Sequence, residues 1–375
     1  MKIPFVKAPL TGHEVDVVTE AIRSGHHGGD GPFTKKVHTL IEGEFGVGKC
    51  LLTTSCTDAL EMCALLLDAN PGDEIIIPSY TFSSTALAFA MHGFKPVFVD
   101  VNLENKNITL ENIKPAVTPK TRAIVVVHYA GIVCDMDPIM DFACEQGLIV
   151  VEDAAQAVNS KYKGRYAGSI GHLATYSFHA TKSYSCGEGG ALLLNDKKYF
   201  ERANFLWEKG TDRSLVLAGV KNKYSWVDWG SSFLLSDLLA SLLYDQLQNK
   251  DVLQAKRRSL HEKYTNIFEE LRLEGISYLK VPANVETNFH AFWIEFEDGE
   301  KRERVIRALA AESVSAYIGY VPLHSSPKGK EVGKIVGKMK NTDKAGSGLM
   351  RLPFYLMDEP EIEYVEKNLK NIFIQ

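Results

Sequence analysis

The sequence has no long apolar run and no excess of either charge, and each absence counts against a class of protein. No window of the 375 residues approaches the roughly 20 apolar residues that a membrane span needs. The net charge of −5 gives no basis for binding nucleic acid or a membrane through bulk electrostatics. The amino-terminal segment has Pro4 and Pro9 and no apolar core, so we expect no signal peptide and a cytoplasmic protein.

The cysteines lack the spacing of a metal site or of a disulfide framework. They are Cys50, Cys56, Cys63, Cys134, Cys144 and Cys186. No CxxC pair is present, and most of them lie in or beside apolar runs, as reduced thiols in a reducing compartment do. We therefore expect no metal site and no disulfides.

Two nucleotide-binding motifs are also missing. Residues 43–50 read GEFGVGKC, but Cys50 stands where a P-loop needs Ser or Thr for magnesium. A helical pattern precedes this segment and a strand-like run follows it, which is the reverse of the order in a P-loop. No GxGxxG follows the first strand either. Sites for a nucleoside triphosphate and for a dinucleotide are therefore not expected.

From Leu51 onward, helical and strand-like segments alternate. Nearly continuous apolar runs stand at 74–78, 96–101, 122–128 and 148–152. Such runs are typical of a parallel sheet that helices cover on both faces. Helical spacing predicts helices at 234–249 and 251–273, and from about residue 275 strands, one of them over 289–297, alternate with helices in a different pattern. We predict a large α/β domain over residues 1–250 and a small α+β domain over residues 251–375.

One lysine stands between two apolar runs. Lys182 follows the run 173–178, and a Gly-rich turn at 187–190 separates it from the run 191–194. Burying an ammonium group is costly unless the group is neutralised or hydrogen-bonded. A lysine with a lowered pKa is a nucleophile that forms Schiff bases with aldehydes. Taken by itself, the stretch fits a solvated loop lysine as well.

Three other features give this lysine a chemical context. Hydroxyl residues lead into a helix at Thr57, where free N–H groups attract a phosphate, although a plain cap by Ser55 or Thr57 fits too. Asp153 ends a buried strand, where it either meets a cationic ligand group or caps the next turn. Phe82 follows another strand and either stacks on a planar ring or belongs to the core. Together with Lys182, these features favour a site for pyridoxal 5′-phosphate (PLP), which needs all four.

These residues resemble the DegT/StrS family of sugar aminotransferases, which have the aspartate aminotransferase fold (fold type I). The resemblance rests on SCTDALEM, IPSYTF, VVEDAAQ, YSFHATKSYSCGEGG and PLH, and it covers essentially the whole chain. It implies a mainly parallel α/β sheet with a small α+β domain, PLP or its pyridoxamine form as cofactor, and a homodimer with shared active sites. Lys182 distinguishes the chain from the dehydratases of this fold, in which a histidine replaces the lysine.

The resemblance also implies a role for each matching residue. Lys182 would form the Schiff base and move the proton, Asp153 would pair with the pyridine nitrogen, and Gln156 would contact the ring's 3-hydroxyl. Phe82 would stack on the ring. The implied phosphate ligands are Thr57, Asp58 through its backbone, and Ser177. Many members carry an asparagine that reaches the cofactor phosphate of the neighbouring subunit, and here Ser232 replaces it. Segments near 210–236 and the loop 25–33 would complete the neighbour's site.

Four further segments are similar to one subgroup, the dTDP-4-keto-6-deoxyglucose 4-aminotransferases of enterobacterial common antigen synthesis. They are VHYAG, WEKGTDRS, KYSWVDWGSS and LLSDL. The similarity implies a dTDP-keto-deoxy sugar and L-glutamate as substrates. Tyr320 and His324 are candidates for sugar contacts, and Arg213 and Lys209 for pyrophosphate contacts. Alternatively, His324 only forms a hydrogen bond within a turn, and Arg213 and Lys209 are ordinary surface charges. The cofactor motifs do not distinguish this activity from that of a 3-aminotransferase. They also do not distinguish the enzyme from a regulatory protein that binds PLP without turnover.

Overall fold

The computed structural model describes residues 1–374. Its strands are β1 (Lys49–Thr53), β2 (Glu74–Pro78), β3 (Lys95–Val99), β4 (Thr121–Val127), β5 (Ile149–Asp153), β6 (Lys161–Tyr162), β7 (Arg165–Tyr166), β8 (Leu173–Ser177), β9 (Gly190–Leu194), β10 (Ile276–Tyr278), β11 (Val285–Glu286), β12 (Trp293–Phe296), β13 (Tyr317–Ile318), β14 (Lys334–Ile335) and β15 (Leu349–Arg351). Its α-helices are α1 (Glu14–Arg23), α2 (Pro32–Phe45), α3 (Cys56–Leu67), α4 (Ser84–Met91), α5 (Leu110–Ile113), α6 (Met136–Gln146), α7 (Phe200–Trp207), α8 (Arg213–Leu217), α9 (Asp237–Gln248), α10 (Lys250–Leu271), α11 (Gly299–Ala311), α12 (Pro327–Val332), α13 (Lys340–Gly348) and α14 (Glu359–Ile374).

Eight strands form the central sheet, in the order β1-β9-β8-β5-β4-β2-β3-β14. From β8 to β14 every neighbouring pair is parallel, whereas β9 is antiparallel to both β1 and β8. Apolar clusters cover both faces of this sheet, because its strands carry side chains such as those of Ile76 and Ile77 into opposite layers. The predicted α/β fold with a mainly parallel sheet is confirmed.

A second sheet, β10-β12-β15-β13, is antiparallel and packs with α10, α11 and α14 around an apolar core of its own. It supplies the predicted small α+β part of the fold. The domain boundary between residues 250 and 251 stays a prediction, because two strand pairings cross it. Ile3 pairs with Val314, and β14 pairs with β3. Among residues 1–374, no helix has the length and apolarity that crossing a membrane requires.

Two element boundaries differ from the sequence expectation. The strand expected over 289–297 begins only at Trp293, because Phe289 has a left-handed backbone (φ +53°) that turns the chain before it. The helix expected over 234–249 begins at Asp237, where the Ser236 hydroxyl caps it by accepting from the Leu238 N–H. Both differences arise from the backbone or side-chain geometry of a single residue, which the spacing of apolar residues in the sequence does not predict.

The topology gathers several predicted site residues at one edge of the central sheet. Parallel strands end on the same side, and ligands bind there in open α/β sheets. Asp153 is the last residue of β5 and Ser177 the last of β8, while Phe82 follows β2. The amino terminus of α3 lies beside β9, since Gly190 packs against the backbone of Ser55 and Cys56.

Candidate active site

A cavity of about 410 Å³ lies at this edge, between the central sheet and the small sheet. Seven of the residues predicted from the sequence line it: Thr57, Phe82, Asp153, Gln156, Ser177, Lys182 and Tyr320. They come from segments far apart in the chain, so the fold, and not local sequence, brings them together.

Lys182 lies in a loop that its backbone hydrogen bonds hold in place. Its N–H donates to the His179 carbonyl (2.9 Å), and the Cys186 N–H donates to the Phe178 carbonyl (3.0 Å). Burial lowers the pKa of the Lys182 ammonium, although the nearby Asp153 carboxylate favours the charged form. The amine is therefore deprotonated more readily than a solvated lysine, and the alternative of an ordinary loop lysine does not fit.

Asp153 is buried, and its carboxylate is held from two sides. The Thr85 hydroxyl donates to its Oδ2 (2.7 Å), and the Ala155 N–H donates to its Oδ1 (3.2 Å). Thr85 is itself hydrogen-bonded to Thr81 (2.9 Å). The carboxylate thus keeps a fixed orientation at the cavity wall, where a protonated ring nitrogen would give it the cationic partner that it lacks.

The neighbouring acid, Glu152, has a different environment. Because side chains alternate along a strand, Glu152 points away from Asp153 into the opposite layer. There its carboxylate accepts from the Nε2 of His128 (2.8 Å) and from the N–H groups of Gly168 (2.9 Å) and Ile170 (2.8 Å). This buried network fixes the end of β5, and with it the position of Asp153.

The start of α3 forms the hydroxyl-rich end of the cavity. Thr57 and Ser177 both line it, and the Thr57 hydroxyl donates to Ser84 (2.8 Å). The Asp58 N–H is already bonded to the Ser55 hydroxyl (3.1 Å), so the cap expected as an alternative is formed by Ser55. Asp58 itself does not line the cavity. Its predicted phosphate contact would have to share this N–H with the cap.

Gln156, Tyr320 and Phe82 form another wall. The Gln156 amide accepts from the Ala130 N–H (2.7 Å) and donates to the Tyr320 hydroxyl (2.8 Å). The ring of Phe82 lies 6.2 Å from that of Tyr320 and is 58% exposed, so Phe82 is not a core residue. An aromatic face that remains accessible beside a polar cavity suits the stacking of a planar ring.

Besides Asp58, four predicted residues do not line this cavity. His324 is buried outside it, with its Nδ1 hydrogen-bonded to the Ser79 hydroxyl (2.7 Å) and its Nε2 near Asp343 (3.2 Å), and its predicted sugar contact stays a prediction. Arg213 and Lys209 pair with Glu208, and Ser232 forms a backbone bridge to the same residue. These three residues lie outside the cavity of their own chain, and their predicted contacts with phosphate groups stay predictions.

The cavity also contains residues that sequence reasoning missed. His290 lines it, and its Nδ1 is paired with the Ser183 hydroxyl (3.1 Å). Burial lowers the pKa of His290 well below its usual range, and the Lys182 charge lowers it further, so the ring is neutral. Arg351, on β15, lines it as well. For Arg351 the sequence offered one signal, a charged residue inside the apolar run LMRLPF. His290 lies in the segment expected to form a strand, and this expectation gave no reason to select it as a site residue.

The donor set fits PLP. A rigid carboxylate, an amine with a lowered pKa, a pair of hydroxyls beside a helix amino terminus and an accessible aromatic face surround one cavity. These are the groups that a pyridine ring with an aldehyde and a phosphate requires. Among residues 1–374, no cluster of side chains has the composition of a metal site.

Comparison with known proteins identifies the family. The model of the DegT/DnrJ/EryC1/StrS aminotransferase family matches residues 10–370. The spore coat polysaccharide biosynthesis protein SpsC of Bacillus subtilis is 31% identical over 97% of this chain and 95% of its own. The GDP-perosamine synthase of Escherichia coli O157:H7 is 29% identical, over 87% of this chain and 86% of its own.

The architecture is shared as well. The crystal structure of the aminotransferase TlmJ from Streptoalloteichus hindustanus superimposes with a TM-score of 0.91, at 28% identity, over 99% of both chains. Because the family match and this superposition both extend over nearly the whole chain, the protein belongs to the DegT/DnrJ/EryC1/StrS aminotransferase family and is a PLP-dependent sugar aminotransferase.

Proposed function

We propose that the protein transfers the amino group of L-glutamate to C4 of dTDP-4-keto-6-deoxy-D-glucose. The product is dTDP-4-amino-4,6-dideoxy-D-galactose, for a cell-surface glycan. The observation that carries the transfer is the position of Lys182 and Asp153 on one cavity. The choice of sugar rests on the resemblance of segments 127–131, 207–214 and 223–232. That a relative is a GDP-perosamine synthase supports a nucleotide-linked sugar in general, not this one in particular.

PLP, when bound, supplies an electron sink for the carbanion that forms as the amino carbon loses its proton. Lys182 would be its covalent anchor, Thr57 and Ser177 would bind its phosphate, and Asp153 would hold the proton on its ring nitrogen. Asp153 suits this role because Thr85 fixes one carboxylate oxygen at the cavity wall. Gln156, oriented by Ala130, would contact the ring's 3-hydroxyl.

Lys182 is also the group that moves the proton. Once its amine is free, the Nζ takes the proton from the α carbon of glutamate, and in the second half of the cycle it delivers one to C4 of the sugar. The lowered pKa of this amine favours the first of these steps, because the neutral form is the one that accepts a proton.

A second subunit would complete the site. The arm 213–232 carries exposed aromatic side chains, with Trp226 at 76% and Trp229 at 72% exposure. Exposed aromatics clustered on one segment are typical of protein interfaces. We propose a homodimer in which this arm and the loop 25–33 cover the neighbour's cavity, where Ser232, Lys209 and Arg213 would meet the cofactor phosphate and the nucleotide.

The regiochemistry is tested by offering the purified protein two substrates. We expect turnover of the 4-keto-6-deoxy sugar nucleotide with L-glutamate and none of the 3-keto isomer. Turnover of the 3-keto sugar alone would replace the proposal by a 3-aminotransferase on the same scaffold. The cofactor site is common to both activities, so its residues do not decide between them.

A further inference from the structure

His290 contributes to the cavity wall a polar group that the proposed cofactor contacts do not use. It lies between β11 and β12, and it lines the cavity together with Lys182. The buried guanidinium of Arg257 fixes the backbone there, because it donates to the carbonyls of Phe289 (2.9 Å) and His290 (2.5 Å). The imidazole is therefore held in the cavity by a rigid segment.

The imidazole of His290 is neutral, because burial and positive charges both act against a second proton. Burial lowers the pKa of His290 well below its usual range, and the charges of Lys182, Arg257 and Arg351 lower it further. A neutral imidazole carries one hydrogen, on either Nδ1 or Nε2.

The hydrogen bond with Ser183 decides which nitrogen carries that hydrogen. The Ser183 Oγ lies 3.1 Å from Nδ1, and Ser183 is only 2% exposed. Within residues 1–374 this hydroxyl has no other hydrogen-bond partner, so it donates to Nδ1. The hydrogen of the imidazole is then on Nε2.

The Nε2–H group of His290 is free to bind a ligand. It forms no hydrogen bond within the part of the chain that the structure describes, and, unlike the Nε2 of His261, it is not sealed from solvent. The open space beside His290 is the cavity. The ring therefore offers a neutral hydrogen-bond donor to a molecule that enters.

We propose that the Nε2–H of His290 donates a hydrogen bond to the carbonyl oxygen that aminotransfer replaces by nitrogen. The carbon that bears this oxygen must lie at the Lys182 amine, which moves the proton to or from that carbon. His290 is hydrogen-bonded to the next residue along the chain, Ser183, and the charge of Lys182 is near enough to lower the pKa of the imidazole. An oxygen one bond from the reacting carbon is therefore within reach of the ring.

The contact stabilises charge that develops only during the reaction. When an amine attacks the carbonyl carbon, one electron pair of the C=O bond moves onto the oxygen. The oxygen then leaves as water with two hydrogens from the amine nitrogen, and His290 keeps its own hydrogen throughout. A fixed donor beside an oxygen that becomes negative lowers the barrier, and a neutral imidazole does so without taking the proton that Lys182 carries.

The neutrality of the ring distinguishes this role from the binding of an anion. Carboxylates and phosphates pair best with cations or with several N–H groups. A single neutral donor suits an oxygen that is uncharged in the substrate. The inference applies to 2-oxoglutarate and to the keto sugar alike, since each brings its carbonyl carbon to Lys182, and it rests on the proposed function only for the identity of these two compounds.

Variants of His290 test the contact in a reaction that needs no sugar. Protein loaded with the pyridoxamine form of the cofactor is mixed with 2-oxoglutarate, and the return of visible absorbance gives the rate. In His290→Leu the maximal rate should fall about 100-fold, as expected for the loss of one such donor. The half-saturating concentration should change by less than about threefold, because the contact strengthens only as charge develops. His290→Gln places an amide N–H near the position of Nε2 and should recover about tenfold of the loss.

His13→Leu is the matched control, because His13 is an exposed histidine at the start of α1 that does not line the cavity. It should leave the rate unchanged, and every variant should show the visible absorbance when loaded with PLP, which indicates an intact cofactor site. Wild-type rates in His290→Leu would overturn the inference. So would equal losses in His290→Leu and His290→Gln, since the ring would then act through packing.

Nitrogen-15 NMR tests the imidazole without relying on turnover. In PLP-loaded protein with labelled histidine, the signals that disappear in His290→Gln belong to His290. They should show a hydrogen on Nε2 and none on Nδ1, without change from about pH 6 to about pH 8. A hydrogen on Nδ1, or titration of the ring in this range, would contradict the assignment.

Failure of the proposed function gives a different result. If glutamate is not the amino donor, 2-oxoglutarate restores no absorbance in the wild-type protein. The keto sugar nucleotide then replaces 2-oxoglutarate in the same assay, and the comparison of the two His290 variants decides the role of the imidazole as before.

Discussion

Lys182 is the residue on which the proposed reaction depends most directly. In Lys182→Ala we expect the visible absorbance of the PLP-loaded protein to disappear and turnover to fall about 10³-fold or more, since anchor and proton carrier are lost together. Absorbance spectra and steady-state assays measure the two effects. Lys367→Ala, at an exposed position on α14, should change neither. Retained turnover in Lys182→Ala would assign the proton transfer to another group.

Thr85 acts through Asp153 and is therefore a positioning residue. Thr85→Val removes the 2.7 Å hydrogen bond to the carboxylate at nearly constant volume. Loss of one hydrogen bond to a charged group costs about 1.5–3 kcal/mol, so kcat should fall by roughly tenfold or more. Thr85→Ser keeps the hydroxyl and should restore most of the rate. If both variants reduce kcat equally, the effect comes from packing and not from the hydrogen bond.

At the scale of single residues, the sequence predicted the groups with a local signature. Asp153 ends an apolar strand and Lys182 lies in the loop after another, so both positions can be recognised from one segment of the sequence. His290 and Arg351 reach the cavity only because the small sheet packs over the central one. No local pattern records that packing, so these two were missed.

At the scale of elements, the contact between β9 and α3 sets the hydroxyl-rich end of the cavity. A Cβ on Gly190 would lie 2.4 Å from the backbone nitrogen of Cys56, and neither backbone can yield cheaply. Gly190→Ala should therefore lower the free energy of unfolding by about 1–3 kcal/mol and weaken PLP binding. Thermal denaturation and cofactor titration measure both.

Gly43→Ala is the matched control for Gly190. Gly43 lies inside α2, and a Cβ there would contact nothing within 4 Å. Alanine has the higher helix propensity, so this variant should be neutral or slightly more stable, with unchanged PLP affinity. An equal loss of stability in both variants would contradict the role of the β9–α3 contact.

His38 connects α2 to β1 and makes this connection sensitive to acid. Its Nε2 accepts from the Leu52 N–H (2.9 Å), and burial lowers its pKa to about 3. Between its ordinary pKa near 6.5 and this value, the unfolded chain binds a proton that the folded chain does not. The folded state should therefore lose about 1.4 kcal/mol per pH unit as the pH falls through this window.

Replacement of His38 tests that dependence. His38→Gln keeps an acceptor for the Leu52 N–H but cannot titrate, so its stability should fall less steeply between pH 6.5 and pH 3. Chemical denaturation at a series of pH values gives the two slopes. The same slope in both proteins would show that other groups cause the acid sensitivity.

At the scale of the whole molecule, the apolar runs predicted the parallel strands and the helices that cover them. They did not predict the arm 213–232, because its aromatic residues are exposed in one chain and their spacing indicates neither a helix nor a strand. Its contacts would be formed only with a second subunit. The proposed dimer would also account for the positions of Ser232, Lys209 and Arg213 outside their own chain's cavity.

The proposed dimer can be tested through this arm. Sedimentation of the wild-type protein should give the mass of two chains. Replacing Trp226 and Trp229 by aspartate should shift it toward one chain, since charges would be buried in an apolar interface. Activity should fall with the dimer fraction. A fully active monomer would contradict the shared active site.

The central claim is the transfer of an amino group from glutamate to C4 of a dTDP-linked sugar. The most direct measurement is to incubate the purified protein and PLP with ¹⁵N-labelled L-glutamate and dTDP-4-keto-6-deoxyglucose, and to examine the products by NMR. The account predicts 2-oxoglutarate and a sugar nucleotide with ¹⁵N bonded to C4 in the galacto configuration. Label at C3, or none on the sugar while glutamate is consumed, would contradict it.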